Sequence, residues 1–277
     1  MVEAGAPDRI ATGYTFTEGP VWHPDGYLLF SDISGSSIHK WTSDGKVTLV
    51  RSPSGESNGL TLDRQARLIS CEQGNRQVSR TEADGKIVII AGKYNGKRLN
   101  CPNDVVVRSD GAVYFTDPPY GTSRELTFAG VYRKLPDRDT LDLLVDNIPT
   151  PNGLAFSPDE RVLYVSNTDG MNIHAFDVLP DGSLAKGRIF ITLMGTPDGI
   201  KVDTKGNLYV ATGLFSVGVY NSAAKHLGDI LVPEATTTCA FGGLENKNLY
   251  ITAGKSVYRV RLKVQGIPVA VDGTAGK

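Results

Sequence analysis

The sequence has few of the residues from which several common sites are built. Its three cysteines, Cys71, Cys101 and Cys239, have no Cys-x-x-Cys spacing, so neither a disulfide framework nor a cysteine-bound zinc site is predicted. Its four histidines show no His-x-x-x-His spacing, which disfavours a histidine-bound zinc site. Neither Ser31 nor Ser166 lies in a Gly-x-Ser-x-Gly elbow or has a histidine placed to activate it. A serine hydrolase is therefore disfavoured.

Long apolar runs and a charge excess are also missing. No apolar run is long enough to predict a membrane-spanning helix, and the first residues lack the basic and apolar regions of a signal peptide. The 29 basic and 30 acidic residues leave a net charge of −1, which gives no basic surface for nucleic acid or anionic lipid. We therefore expect a cytoplasmic protein that binds neither nucleic acid nor membranes and acts on a small molecule.

A short unit recurs six times along the chain. Each copy starts with a polar residue and continues with an apolar strand, a turn and a second apolar strand. The starts are 40, 45, 49, 46 and 40 residues apart, and a period of about 20–50 residues is typical of stacked or radial repeat proteins. The copies begin at Glu18-Gly-Pro-Val-Trp, Asn58-Gly-Leu-Thr-Leu, Asn103-Asp-Val-Val-Val, Asn152-Gly-Leu-Ala-Phe, Asp198-Gly-Ile-Lys-Val and Thr238-Cys-Ala-Phe.

The strand count of each unit indicates the fold. Two more strand-like segments follow in most copies, and no segment shows sustained helical periodicity. Four strands per unit predict an all-β, six-bladed β-propeller around a central channel, with residues 1–277 as one domain. A two-layer sandwich is the alternative, but its strands would be irregularly spaced. The sixth copy lacks a fourth strand, and we predict that the segment around Ile10 to Phe16 supplies it.

The first residues of the six units should converge at one mouth of the channel. All six carry a side-chain oxygen, and carboxylates with amide oxygens suit a hard cation. We expect one divalent cation, Ca²⁺, with Zn²⁺, Mn²⁺ or Mg²⁺ as alternatives. The simpler interpretation is that Asn-Gly and Asp-Gly pairs only mark turns. Glu18 argues against it, because glutamate is a poor turn residue and Pro20 limits the local backbone to extended forms.

Several longer segments give the chain a family resemblance. It resembles the gluconolactonase, regucalcin (senescence marker protein) and luciferin-regenerating-enzyme-like family of metal-dependent lactonases, with gluconolactonases nearer than regucalcins. Besides the unit starts, the matching segments include Ser57-Asn-Gly-Leu-Thr-Leu-Asp, Gly96-Lys-Arg-Leu-Asn-Cys-Pro-Asn-Asp-Val-Val-Val, Tyr114-Phe-Thr-Asp-Pro-Pro-Tyr-Gly, Pro151-Asn-Gly-Leu-Ala-Phe-Ser-Pro-Asp-Glu and Pro197-Asp-Gly-Ile-Lys-Val-Asp.

The resemblance implies roles for particular residues. Glu18, Asn152 and Asp198 would bind the metal, Asn103 would complete its shell or hold the substrate, and Asp198 would also be the catalytic acid and base. Regucalcin-like members carry an arginine where this chain has Cys101, so the substrate can differ from the usual sugar lactone. The expected substrate-binding residues are Asn103, Arg98, Tyr120 and Asn58.

The expected activity is opening of a small lactone, such as gluconolactone, by metal-activated water. Asp198 would exchange protons with the water and the leaving alkoxide, and attack by a hydroxide held on the metal is the variant. A metal-dependent esterase or phosphotriesterase of the same fold is one alternative. A non-catalytic propeller that serves as a binding module is another, because fold alone does not fix function.

Overall fold

Every regular element in the described part of this protein is a β-strand. The computed structural model describes residues 2–3, 5–121, 123–269 and 271–272. These residues form no helix, so none of them belongs to a helix that could cross a membrane. A two-stranded hairpin, Lys93–Tyr94 with Lys97–Arg98, lies between the second and third blades defined below.

The strands form six antiparallel sheets of four strands each, which confirms the predicted six-bladed β-propeller. We number the blades by their innermost strands, and each blade is given from its inner to its outer strand. Blade 1 is Thr17–His23, Tyr27–Asp32, Ser37–Thr42 and Val47–Arg51; blade 2 is Ser57–Leu62, Leu68–Glu72, Gln77–Thr81 and Ile87–Ala91; blade 3 is Val105–Val107, Val113–Asp117, Gly130–Lys134 and Leu141–Val145; blade 4 is Pro151–Phe156, Val162–Asn167, Asn172–Asp177 and Arg188–Thr192; blade 5 is Ile200–Val202, Leu208–Ala211, Ser216–Tyr220 and His226–Leu231; blade 6 is Thr236–Gly242, Asn248–Ala253, Ser256–Arg261 and Asp8–Thr12.

The core lies between neighbouring blades. Tyr114 of blade 3 meets Phe156 of blade 4 edge-on at 5.0 Å between ring centroids. Tyr209 of blade 5 meets Phe241 of blade 6 in the same way. Burial of such rings against the next sheet supplies the main stabilisation of a propeller blade.

The chain closes the ring by pairing its two ends in blade 6. Strand Asp8–Thr12 pairs antiparallel with Ser256–Arg261, with Thr12 opposite Ser256. The predicted segment, Ile10 to Phe16, was therefore placed too late. Gly13 has a φ of +98°, and the backbone N–H of Phe16 donates to the Asp32 carboxylate at 2.9 Å. The chain has thus left the strand and entered blade 1 by Phe16. One domain over residues 1–277 stays a prediction.

Candidate metal centre

The six predicted ring residues lie at the start of the inner strands, at one end of the channel, which we call the upper mouth. Four of them, Glu18, Asn58, Asn152 and Thr238, belong to inner strands whose pairing with the second strand shifts register at that point. A β-bulge re-aims the side chains next to it. Asn103 and Asp198 lie two residues before their short inner strands. Five of the six are buried, and Asp198 is half-buried between two buried neighbours.

The glycine after several ring residues has a packing role. A Cβ at Gly59 would lie 2.6 Å from the carbonyl oxygen of Asn103, and one at Gly199 would overlap the Thr238 side chain. The N–H of Gly59 donates to that Asn103 oxygen at 2.8 Å. These glycines let one inner strand touch the next. Because Gly59 lies inside a strand, its Asn-Gly pair does not mark a turn.

Second-strand hydroxyls hold the ring from outside, a role that sequence reasoning missed. Ser31 donates to the carbonyl oxygen of Asn58 at 2.9 Å, and Thr116 donates to that of Asn152 at 2.6 Å. Ser166 donates to the carbonyl oxygen of Asp198 at 2.8 Å. In each case a hydroxyl of one blade fixes the ring residue of the following blade. The Ser or Thr that recurs in the second strands is the sequence feature from which this role could have been predicted.

The hydroxyl bonds also bear on nucleophilic serines. Ser57 lies in the pentapeptide Gly55-Glu-Ser-Asn-Gly, which has the Gly-x-Ser-x-Gly spacing. Its hydroxyl is buried in an inner strand and bonds the hydroxyls of Ser31 and Ser54 at 3.0 and 2.9 Å. No helix follows it in the described chain, and no described histidine contacts it. The hydroxyl of Ser57 therefore helps to hold the ring in place, together with that of Ser31, and is not a nucleophile.

Two acidic side chains face one another across the ring. Burial and the negative charge of Asp198 raise the pKa of Glu18 well above its usual range, and the N–H of Gly19, which donates to Glu18 Oε2 at 2.8 Å, only partly opposes this. Burial and the charge of Asp104 raise the pKa of Asp198 to about 7. The two carboxyl groups are therefore held together at an energetic cost that a cation would offset.

The side-chain amide of Asn152 offers an oxygen that a cation could bind. Its Nδ2 donates to the hydroxyls of Thr168 and Tyr120, at 3.0 and 3.2 Å, which fixes the orientation of the amide. Its Oδ1 is buried and has no hydrogen-bond partner in the described structure. A buried acceptor without a donor is costly. A cation beside Glu18 and Asp198 would satisfy it. Thr238 Oγ1 is also buried and unpaired among the described residues.

Asn103 is positioned by a carboxylate that the sequence analysis did not single out. Asp117, at the end of the second strand of blade 3, accepts the N–H groups of Asn100 and Cys101 at 2.8 and 2.7 Å. The N–H of Asn103 donates to Thr116 at 2.9 Å. These bonds hold the segment from Asn100 to Asn103 against blade 3. Burial raises the pKa of Asp117 to about 7.

Of the other predicted substrate contacts, Tyr120 and Asn58 lie at the ring and Arg98 lies away from it. Tyr120 lies at the upper mouth, bound to Asn152, and burial raises its pKa to about 12. Asn58 lies in the ring. Arg98 lies outside it: its guanidinium donates to the carbonyl oxygen of Asn75 at 2.9 Å, and its N–H donates to Glu125. This geometry does not support the expectation that Arg98 contacts the substrate.

Arg76, rather than Arg98, is the arginine that lies against the segment containing Cys101. Its Nε donates to the carbonyl oxygen of Leu99 at 2.6 Å, and its positive charge acts on both Cys101 and Asp117. Burial raises the pKa of the Cys101 thiol to about 12. The thiol therefore stays protonated and does not act as a nucleophile near neutral pH.

The donor set fits a hard divalent cation. Within residues 2–3, 5–121, 123–269 and 271–272, no three His, Cys, Asp or Glu side chains are grouped so that they could hold a metal. A cation between Glu18 and Asp198 therefore needs amide oxygens as further ligands, and Asn152 Oδ1 offers one. Carboxylate and amide oxygens together are the ligands that Ca²⁺ prefers.

Comparisons with known proteins identify the family of this chain. A gluconolactonase of Zymomonas mobilis is 34% identical over 93% of this chain and 81% of its own length. The structure of a gluconolactonase from Xanthomonas campestris matches with a TM-score of 0.89 at 37% identity, over 94% of this chain and 90% of that one. A luciferin-regenerating enzyme shares the fold, with a TM-score of 0.82 at 23% identity over 96% of this chain and 99% of that one. The sequence model of the SMP-30/Gluconolactonase/LRE-like region matches residues 16–255. This chain therefore belongs to the SMP-30/gluconolactonase/LRE-like family.

Proposed function

We propose that this protein is a divalent-cation-dependent lactonase that opens the ring of a small lactone at the upper mouth of its channel. The observation that carries the proposal is the placement of two mutually repelling carboxyls, Glu18 and Asp198, beside the unpaired Oδ1 of Asn152. The names of its gluconolactonase relatives support a lactone as the substrate. Glu18, Asn152, Asp198 and Asn103 would hold the cation, and the all-oxygen donor set favours Ca²⁺.

When bound, the cation would polarise the lactone carbonyl and acidify a water molecule. Asp198 would accept the proton of the attacking water on a carboxylate oxygen while the water oxygen bonds to the carbonyl carbon. The ring C–O bond then breaks, and Asp198 returns the proton to the leaving alkoxide oxygen, which gives the hydroxy acid. Glu18 would stay a ligand, because the N–H of Gly19 already fixes one of its oxygens.

The remaining residues would position the substrate. Asn103 and Asn58 offer amide groups in the ring, and Tyr120 offers a hydroxyl at the rim of the mouth. The Thr168 hydroxyl donates to the carbonyl oxygen of Pro197 at 2.9 Å, so it can only accept from Asn152, and turning the Asn152 amide over would lose that bond. Asn152 would thus present an oxygen, not an N–H, to the cation.

The test starts with metal analysis of protein purified without chelator. The purified protein is then assayed on gluconolactone, an aromatic lactone, a simple ester and paraoxon, with acid release followed by pH. We expect one bound divalent cation per chain, lactone turnover above that of the other esters, and loss of the rate with EDTA. Unchanged turnover in EDTA would exclude the cation, and a faster rate on paraoxon would favour a phosphotriesterase.

Asp198→Asn tests the assigned base. We expect its turnover to fall by about 10²–10⁴-fold, the usual contribution of general acid–base catalysis, with an unchanged circular dichroism spectrum. Asp229→Asn is the matched control, because Asp229 lies on the outer strand of blade 5 with a half-exposed side chain. Full activity of Asp198→Asn would contradict the role. Absence of turnover in wild type on every substrate would favour a binding module.

A further inference from the structure

The channel has a second cavity at the end opposite the ring. The inner strands all begin near the ring, so their later residues line the lower part of the channel. There they enclose a cavity of about 380 Å³, a size typical of small-molecule sites. Its wall is mostly apolar. Residues of all six inner strands contribute, including Val21, Leu60, Val106, Ala155, Val202 and Phe241.

The C-terminal segment forms the outer wall of this lower cavity. After blade 6 the chain crosses the lower face, where Gly266 donates to Asn246 and the Asp272 carboxylate accepts from Arg64 and Gln65 in blade 2. Ile267, Pro268 and Val269 lie between these two attachments and line the cavity. Val269 packs against the apolar cluster shared by blades 1 and 2. The segment thus narrows the lower opening without filling the space behind it.

A lysine with spare hydrogen-bond donors lies in the wall. Lys201 is the one basic side chain among the described residues that line the lower cavity. Its Nζ donates to the carbonyl oxygen of Ile200 at 3.1 Å and lies 3.7 Å from Asp104 Oδ2, which is beyond hydrogen-bond length. An ammonium has three donors. Two of them have no hydrogen-bond partner among the described residues.

Asp104 is ion-paired with Lys201, but its two oxygens accept backbone N–H groups and no hydrogen bond from the ammonium. Its Oδ1 accepts the N–H of Val105 at 2.9 Å, and its Oδ2 accepts the N–H of Leu154 at 3.2 Å. The charge of Asp104 raises the pKa of Glu18 and Asp198. Lys201 lines the cavity and Asp104 does not, and the charges of both residues act on Glu18 in the ring, so the pair lies between the ring and the lower cavity. An anion that entered the apolar space would meet this ammonium at its inner end.

We propose that the lower cavity is a second binding site, separate from the metal centre, for an apolar molecule with one anionic head group, of the kind of a medium-chain carboxylate. Its apolar body would replace water along the inner strands, and its head group would accept the two free donors of Lys201. The two acidic residues at the rim, Asp159 and Glu160, are held by Ser157 and Ser109. The negative head group of the ligand would thus lie at the inner end of the cavity, beside Lys201, and its apolar body would lie between that end and the rim.

The test uses the full-length protein as purified and octanoate as the probe. Trp22 lines the cavity, so its fluorescence reports binding. We expect a saturable change with octanoate, at least tenfold weaker binding of octylammonium, and no displacement by acetate. Acetate can reach a metal but cannot fill the apolar space. Equal binding of octanoate and octylammonium, or displacement by acetate, would overturn the proposal.

Two variants complete the test. Lys201→Met should weaken octanoate binding at least tenfold and leave binding of neutral 1-octanol unchanged. Lys205→Met is the control, because Lys205 lies on an exposed turn of the same blade, and it should bind octanoate as the wild type does. Unchanged octanoate binding in Lys201→Met would overturn the proposal. The comparison of octanoate with octylammonium needs no variant, so the proposal stays testable if Lys201→Met does not fold. None of these measurements uses lactone turnover.

Discussion

The main chain of Gly153 in blade 4 packs directly against the carbonyl oxygen of Asp198 in blade 5. A Cβ at residue 153 would lie 2.4 Å from that oxygen and 2.6 Å from the Cα of Gly199. Real Cβ atoms do not approach backbone so closely, and backbone cannot move aside as a flexible side chain can. The position of the proposed catalytic residue thus requires that residue 153, in the preceding blade, has no side chain.

Gly153→Ala should therefore move Asp198. We expect a loss of about 1–3 kcal/mol in unfolding free energy from overpacking and a fall in lactone turnover of about 10²-fold from misplacement of the acid. Urea unfolding and steady-state kinetics measure the two effects. Gly121→Ala is the control, because the nearest atom to its Cβ would be 3.9 Å away. It should change the unfolding free energy by no more than about 0.5 kcal/mol and turnover by no more than about twofold. A fully active Gly153→Ala enzyme would contradict this account.

Asp198→Asn should stabilise the protein when no cation is present. The pKa of Asp198 is raised to about 7 in the folded state, so near neutral pH and above the folded form carries a charge it disfavours. The wild type without cation should lose stability as pH rises from about 4, the unfolded pKa of an aspartate, through about 7. In EDTA at pH 8 the variant should melt higher, by about 2–4 °C for each kcal/mol relieved.

The pH dependence of the melting temperature distinguishes relief of charge repulsion at Asp198 from a stabilisation that does not depend on charge. As the pH falls from about 7 to about 4, the melting advantage of Asp198→Asn should shrink, and below about 4 it should disappear, because the wild-type carboxyl is then protonated in both states. Added Ca²⁺ should raise the melting temperature of the wild type and not that of the variant. A variant that melts below the wild type in EDTA at pH 8 would disprove the repulsion.

Asp117→Asn should loosen the segment that carries Asn103. An amide presents only one oxygen to the two N–H donors of Asn100 and Cys101, so one bond is lost and two donors face each other. We expect a cost of about 1–3 kcal/mol in unfolding free energy together with a raised KM. Differential hydrogen exchange at residues 100–103 locates the change. Asp84→Asn, on an exposed turn, should have no such effect, and equal protection in both variants would argue against the role.

Arg76 and Arg98 can be compared by the same substitution. Arg76→Met removes the donor to Leu99 and the charge beside Cys101, so we expect KM to rise about tenfold, equivalent to about 1.4 kcal/mol. Arg98→Met should leave turnover and KM within about twofold, because its guanidinium is exposed and, among the described residues, donates only to the Asn75 carbonyl. The opposite ranking in steady-state kinetics would restore Arg98 as the substrate contact.

The blade count and the ring positions were predictable because both are written as a period in the sequence. Six polar residues at nearly equal spacing needed no three-dimensional information. The partners of those residues were not predictable, because they come from the neighbouring blade: Ser166 reaches Asp198, and Thr116 reaches Asn152. The surroundings of Arg98 were not predictable for a related reason. Its two-stranded hairpin interrupts the period and points the side chain at blade 2.

The pairing of Asp8–Thr12 with Ser256–Arg261 has a consequence for biosynthesis. The strand that completes blade 6 is made before the inner strands of all six blades, whereas its partner strand is made only after the first five blades are complete. Until then the early strand stays unpaired, and the growing row of blades has an uncovered sheet face at each end. A chain released early would keep that strand unpaired and those faces exposed. Translation must therefore reach blade 6 before any copy of this protein can become a closed ring.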